Sequence, residues 1–226
     1  MYKPTKIIAA AAMSTSLASS IANAGGTTVY QDRTLFNNNT GALQIEDFES
    51  EALGEFAPPT TFDSGLGVNL FAGSVLTSIE AGDPDGFVLS NTTPGGRKYM
   101  RFGDFGDTGS YTVEFSVGSA VSAFGFDISG FQPGAGAGGL NLTLYNNGQL
   151  AGDMFIGSNV DWFAQFIGVT TDFDFDMVRV NIPVNTFNGT PQADISAFDD
   201  IVWSVPAPSS AALLALSGAL ATRRRR

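Results

Sequence analysis

Short runs of alternating apolar and polar residues recur about every ten to fifteen positions through the middle of this chain, between clusters of Gly, Asn, Asp and Pro. In the clearest run Tyr111, Val113, Phe115 and Val117 alternate with Thr112, Glu114 and Ser116. A period of two puts the first set on one face of a strand and the second on the other. Gly118–Ala120 reads as a turn, and Val121–Ile128 as the returning arm of a hairpin with Phe124, Phe126 and Ile128 inward. Leu140–Tyr145 is a further strand, closed by Asn146-Asn147-Gly148. Asn-Gly is a strong hairpin signal, because both central residues of the turn take positive φ. Gln149–Phe155 returns from it.

The same pattern predicts strands over Trp162–Val169, Met177–Ile182 and Ala197–Ser204, and earlier ones over Leu43–Phe48, Val68–Phe71, Val75–Ile79, Phe87–Ser90 and Lys98–Phe102. Helix periodicity is nearly missing between Gly25 and Ser204. Many short strands with turn signals between them describe an antiparallel β-sandwich of jelly-roll type. The glycine-rich stretch 132–139 reads as a long connection.

Both ends depart from this pattern. Lys3 and Lys6 precede an apolar stretch beginning at Ile7, and Ala22-Asn23-Ala24 follows it. Charge, apolar run and small-residue site stand in the order of a secretory signal, which places cleavage between Ala24 and Gly25. At the other end Pro206-Ala207-Pro208 precedes an Ala/Leu run over residues 211–221 and then Arg223, Arg224, Arg225 and Arg226. The run is shorter than the roughly 20 apolar residues of a permanent span, but four arginines suit a transient stop with its tail inside. The expected organisation is a signal helix over 1–24, a β-sandwich over 25–204 and a short apolar helix within a tail over 205–226.

The tail resembles the PEP-CTERM sorting signal of Gram-negative bacteria. That resemblance implies passage through the export machinery, recognition by an exosortase-type membrane transpeptidase with processing near Pro206 and Pro208, transient inner-membrane contact, and a final place at the cell surface or outside the cell.

Composition narrows the chemistry of the middle segment. Its five basic residues, Arg33, Arg97, Lys98, Arg101 and Arg179, stand against all 22 acidic ones, a net charge of about −17. Such a balance argues against nucleic acid and anionic membranes as partners, which need a basic footprint. The chain has no cysteine and no histidine. Disulfides, Ser-His-Asp and Cys-His catalysis, and histidine-based zinc or copper sites are excluded.

Two acidic motifs remain, Asp47-Phe48-Glu49 near the start and Phe198-Asp199-Asp200-Ile201 near the end. The pair resembles the D-F-E and D-D-I motifs of jelly-roll modules such as MAM domains and carbohydrate-binding modules. That resemblance implies neighbouring strands whose carboxylates share a calcium ion. Calcium takes six to eight oxygens in irregular geometry, and converging carboxylates repel without a cation. Glu49, Asp199 and Asp200 are the expected ligands, with Asp83 and Asp85 of Asp83-Pro84-Asp85-Gly86 as a second oxygen-rich turn. The alternative for all of them is edge charge and turn formation. A sugar ligand would stack on flat rings; the candidates are Tyr99, Tyr145, Trp162 and Trp203, with Trp162, near a strand start, the best placed, and the alternative for each is a core position, above all for Trp203 with its inward strand face.

The reading that follows is an exported, non-catalytic β-sandwich that binds polysaccharide. A purely structural matrix or coat protein, and a glycoside hydrolase or lyase working through paired carboxylates, are the alternatives. The exported form is expected to begin at Gly25 and to lack the segment after Pro206–Pro208. Intact-mass measurement of protein from its native host checks this, and a surface-exposed form still carrying Arg223–Arg226 would overturn the C-terminal processing.

Overall fold

The computed structural model describes residues 26–81, 96–103, 109–129, 139–157, 165–187, 190–193 and 196–205. Residues 1–24, expected to be a signal segment, residues 206–226 of the expected sorting tail, and the strand expected at 87–90 lie outside these residues.

The chain is an all-β antiparallel sandwich organised by two strands far longer than the sequence pattern suggests. β8 runs unbroken over Tyr111–Ser129 and β11 over Gln165–Ile182. They pair antiparallel from Ile182↔Tyr111 to Gln165↔Ile128. The register shifts on both sides of Phe175↔Val121, where a β-bulge strengthens the bend and twist of a pair. Each strand therefore serves both layers of the sandwich, and one sheet continues from layer to layer across the irregular stretch.

The hairpin expected at Gly118–Ala120 is corrected accordingly. Gly118 does have positive φ, at 67°, but it lies within β8. Likewise the strands expected around Ile167 and Val180 are two halves of β11.

The first layer is built from β5 (Gly67–Ala72), the front half of β8, the back half of β11, β9 (Gly139–Asn146) and β10 (Gln149–Gly157), in that order, with the short β4 (Thr60–Thr61) beside β5. The second layer uses the other halves of the long strands. Its order is β3 (Gly54–Glu55), β6 (Thr77–Ala81), β7 (Lys98–Phe102), β14 (Ser196–Ser204), β8 and β11, then β1 (Thr28–Tyr30). β2 (Leu43–Glu46) lies beside the end of β14. A separate ribbon pairs β12 (Val184–Phe187) with β13 (Thr190–Ala193).

Between the layers lies one core rich in phenylalanine. Phe115 from the first layer meets Phe124 and Phe198 from the second at centroid separations of 5.7 and 5.4 Å, and Phe126 meets Phe198 at 5.3 Å. Such pairs add about 0.5–1.5 kcal/mol each beyond area burial. Val178, Val180, Leu142, Leu144 and Trp203 complete the core. Trp203 is thus a core residue.

The outer face of the second layer carries a smaller cluster of Phe36, Ala123, Phe166 and Val202. It is covered by α1 (Arg33–Asn39), a seven-residue helix that the apolar pattern does not announce. Asp32 caps it by accepting from the Leu35 amide, which satisfies one of the helix's orphan donors. Gly168 lies under this helix. A Cβ there would stand 2.6 Å from Phe36 Cδ2 and 2.7 Å from Phe166 Cε1. Only a residue without a side chain lets the helix approach so closely. Gly168→Ala is therefore expected to destabilise the fold by about 1–3 kcal/mol, the usual cost of overpacking. That lowers the melting temperature by about 3–10 °C for a domain of this size. Gly41→Ala, where a Cβ meets nothing within 4 Å, is expected to leave it unchanged in the same thermal melts.

Candidate functional site

Two groups of polar side chains stand out, one on the outer face of each layer. The first contains the acidic motifs. β2 and β14 are neighbours, with Ile201 opposite Glu46, so the early and late motifs do lie side by side. The carboxylates of Glu46, Asp47, Glu49 and Asp199, however, bind backbone. Asp199 Oδ1 accepts from the Asp200 amide at 2.7 Å, and Asp200 has φ of 46°. Asp tolerates this left-handed conformation better than most residues. The register of β14 against β8 shifts there, between Asp199 and Val202. Before this bulge β14 pairs with β7, and after it with β2. The Asp-Asp pair is thus the joint at which one strand edge passes between two partners.

The other motif has a matching role. Glu46 Oε1 accepts from the Phe48 amide at 2.8 Å and Asp47 Oδ1 from the Glu49 amide at 3.1 Å, which turns the chain at Phe48, itself at φ of 56°. The Glu49 carboxylate reaches the start of β7 and accepts from the amides of Arg97 and Lys98. These hydrogen bonds, the Lys98 amide foremost, hold its pKa below the ordinary value despite some desolvation. Glu49 therefore joins the end of β2 to the start of β7, while Asp199 and Asp200 are buried in β14. The expected three-carboxylate set does not come together. Among the described residues no group of three acidic side chains is placed to hold a metal ion. Asp83, Asp85, Trp162, Ala24, Gly25, Pro206, Pro208 and Arg223–Arg226 lie outside the described residues.

Arg33, at the start of α1, supplies a positive charge beside this motif. Its Nη2 donates to Asp127 Oδ2 at 2.8 Å and to the Asp200 carbonyl at 2.9 Å, and its guanidinium lies 4.6 Å from the centre of the Phe166 ring. Asp127 is opposite Asp199 in the β8–β14 register. Burial pushes the Asp127 carboxyl above its ordinary pKa, a shift opposed by Arg33 and reinforced by the charge of Asp200.

The second group covers the outward face of the first layer. The registers align Asn69, Glu114, Arg179, Thr143 and Asp153 in one row across β5, β8, β11, β9 and β10. The neighbouring row holds Ser116, Met177 and Tyr145. On the other side lie Thr112, Asn181, Asn141 and Phe155.

Arg179 is the hub. Its Nε donates to Glu114 Oε2 at 2.9 Å and its Nη1 to the Tyr145 hydroxyl at 3.0 Å. Its guanidinium also lies 3.4 Å from the Phe71 ring centre and 4.4 Å from that of Tyr145. Phe71 is next to a bulge in β5, between Leu70 and Ala72. Despite its size Phe71 is 52% exposed, and Phe155, on the outermost strand of the same face, 53% exposed. Two half-exposed phenylalanines among polar residues form a surface that the core has no need of. Beyond Tyr145 the face ends in an open cavity of about 460 Å³ whose lining includes Ser116, Met177, Asn147, Gly148 and Asp176.

Sequence reasoning singled out Tyr145 but missed Phe71, Arg179, Glu114 and Phe155. Each reads as an ordinary strand residue until the register sets them together.

No family model matches the chain and no curated protein sequence is similar to it. Among solved structures, a cyclase from Fischerella sp. TAU, in complex with 4-(1H-indol-3-yl)butan-2-one, has 10% identity and a TM-score of 0.46, covering 72% of this chain and 96% of that one. A low-affinity xylan-binding module from Roseburia intestinalis has 12% identity and a TM-score of 0.37, covering 73% and 96%. A family 11 carbohydrate-binding module from Clostridium thermocellum, in complex with a mixed-linked tetrasaccharide, has 14% identity and a TM-score of 0.35, covering 72% and 95%. The function proposed below rests on this chain's own side chains.

The buried acid generates a prediction about pH. The folded pKa of Asp127 lies above its ordinary 3.8. Its contribution to stability is therefore fully present below the ordinary value and is lost as pH rises through the folded one. In melts from about pH 3 to about pH 7, the difference between the parent protein and Asp127→Asn is expected to favour the parent most at the acid end and to shrink as pH rises. A difference that grows with pH would mean that Arg33 outweighs burial.

Proposed function

We propose that this chain is an exported, non-catalytic β-sandwich protein that binds polysaccharide on the outward face of its first layer. The observation that carries the reading is the stack of Phe71, Arg179 and Tyr145 on a sheet surface that leaves Phe71, and Phe155 on the outermost strand of the same face, half exposed. Sugar rings offer C–H faces to aromatic surfaces and hydroxyls to polar groups, and this face presents both kinds of partner within one register row of each other. A broad, strand-built surface suits an extended chain better than a small molecule, which calls for a concave and mostly apolar pocket.

Export and surface sorting belong to the same proposal. They are supported by the order of charge, apolar run and Ala22-Asn23-Ala24 at the start, and by the proline motif, apolar run and arginine cluster at the end. An acidic domain without cysteine suits work outside the cell in which a large apolar core supplies the stability.

A glycan array followed by titration calorimetry on the best hit tests the binding. Phe71→Ala and Tyr145→Ala are each expected to weaken binding about tenfold, the loss that corresponds to about 1.4 kcal/mol at a contact residue. Leu53→Ala removes an exposed apolar side chain from β3's flank in the other layer and is expected to leave binding unchanged. Failure of every glycan to bind would favour the purely structural coat or matrix role.

A further inference from the structure

We propose that this face selects uncharged polysaccharides and turns away acidic ones, with Arg179 acting as a rigid part of the platform and not as a receptor for sugar carboxylates. The proposal rests on the polysaccharide reading above and assigns its ligand class.

The charges on the described part of the face are Glu114, Arg179 and Asp153, with Asp176 at the rim of the adjoining cavity. One cation thus stands against two carboxylates, or three with Asp176. The cation's charge is already paired and two of its five donors are engaged. Its Nε is bound to Glu114 at 2.9 Å, its Nη1 to the Tyr145 hydroxyl at 3.0 Å, and it also contacts the rings of Phe71 and Tyr145. A uronate or a carboxylated substituent that reached Arg179 would have to displace Glu114 or sit against it. Both Glu114 and Arg179 have most of their side-chain surface covered, so the displaced carboxylate would remain close and repel the newcomer.

Hydroxyl groups meet no such barrier. Carboxylate oxygens have several lone-pair sites each and accept from sugar O–H donors without a change of charge. Glu114 and Asp153 lie in one row with Arg179 and Thr143 between them, and Thr143 Oγ1 donates to Asp153 Oδ1 at 3.0 Å. The exposed Asn141 on the next row adds both a donor and an acceptor. At longer range the chain carries a net charge of −11, and the segment between its two terminal signals about −17. A polyanion is repelled on approach and a neutral polymer is not.

Affinity electrophoresis of the full chain through gels containing pairs of polymers with the same backbone tests this directly. Hydroxyethylcellulose is set against carboxymethylcellulose, and dextran against carboxymethyl-dextran. The measurement is made at low and at about 0.15 M salt. The expected result is retardation by a neutral member that hardly changes with salt and falls about tenfold in Phe71→Ala and in Arg179→Lys, because lysine keeps the charge but lacks the planar group that stacks. The carboxylated partner is expected not to retard the protein, and Glu114→Gln is expected to let it begin to do so. Retardation by the carboxylated polymer that salt weakens and Arg179→Lys preserves would overturn the proposal while leaving polysaccharide binding intact. Failure of the whole panel to retard the full chain would overturn both.

Discussion

Everything in this sandwich hangs on the antiparallel pairing of β8 with β11. The two strands stay together from Ile182↔Tyr111 to Gln165↔Ile128 and change layers between, at a pair of register shifts. Because both layers share these strands, the layers cannot slide or separate without breaking the longest ladder in the described structure. The core follows from this. Phe115 before the bend and Phe124 and Phe126 after it come from one strand, yet they face one another across the interior. A β-pairing with such large sequence separation is costly to close in the unfolded chain. Once formed, it positions everything else: β9 and β10 extend it on one side of the first layer, β5 on the other, and β14 lines up beside β8 in the second.

The acidic motifs show how the second layer is finished. β14 has two partners along one edge, first β7 and then β2. A strand that changes partners needs a local break in its ladder, and that break leaves amides in want of acceptors. Asp199, Glu46, Asp47 and Glu49 supply them, each to a nearby backbone N–H. These four carboxylates are thus accounted for by backbone amides, an obligation as binding inside a protein as the demand of a cation. Arg33 adds the remaining positive charge, reaching in from α1 to Asp127 and the Asp200 carbonyl.

How much of this was legible in the sequence depends on the range of the interaction. Alternation gave the strands themselves, because a period of two is a local property: β7 was read with its observed bounds, and β9, β10 and β14 within one or two residues. The neighbourhood of the two acidic motifs was legible too, through the resemblance they carry. What escaped was decided elsewhere in the chain. Gly118 has the positive φ of a turn residue, and nothing within a few residues says that β11 will hold β8 straight past it. α1 has seven residues and one buried side chain, Phe36, too few for a helical period to register. The outward face was hidden for the same reason. Phe71, Glu114, Tyr145 and Arg179 come from four different strands, and only the register makes them neighbours.

The two outer faces are therefore put to opposite uses. The second layer hides its face beneath α1, where Gly168 makes room for Phe36 and Phe166. Among the described residues the first layer has no such cover over Phe71 and Phe155, and leaving large rings half in water forgoes roughly 1 kcal/mol or more of burial apiece. A chain selected for stability alone would place Thr or Lys at those positions, as edge and surface strands commonly do. Here the rings are kept, and a guanidinium is held over one of them by an ion pair and a phenol. That outlay in order and exposure has no return within the fold. It makes sense as preorganisation, since a surface already rigid loses little freedom when a ligand arrives. The ion pair that fixes Arg179 also neutralises its charge, so the rigidity and the proposed preference for an uncharged partner would come from the same contact.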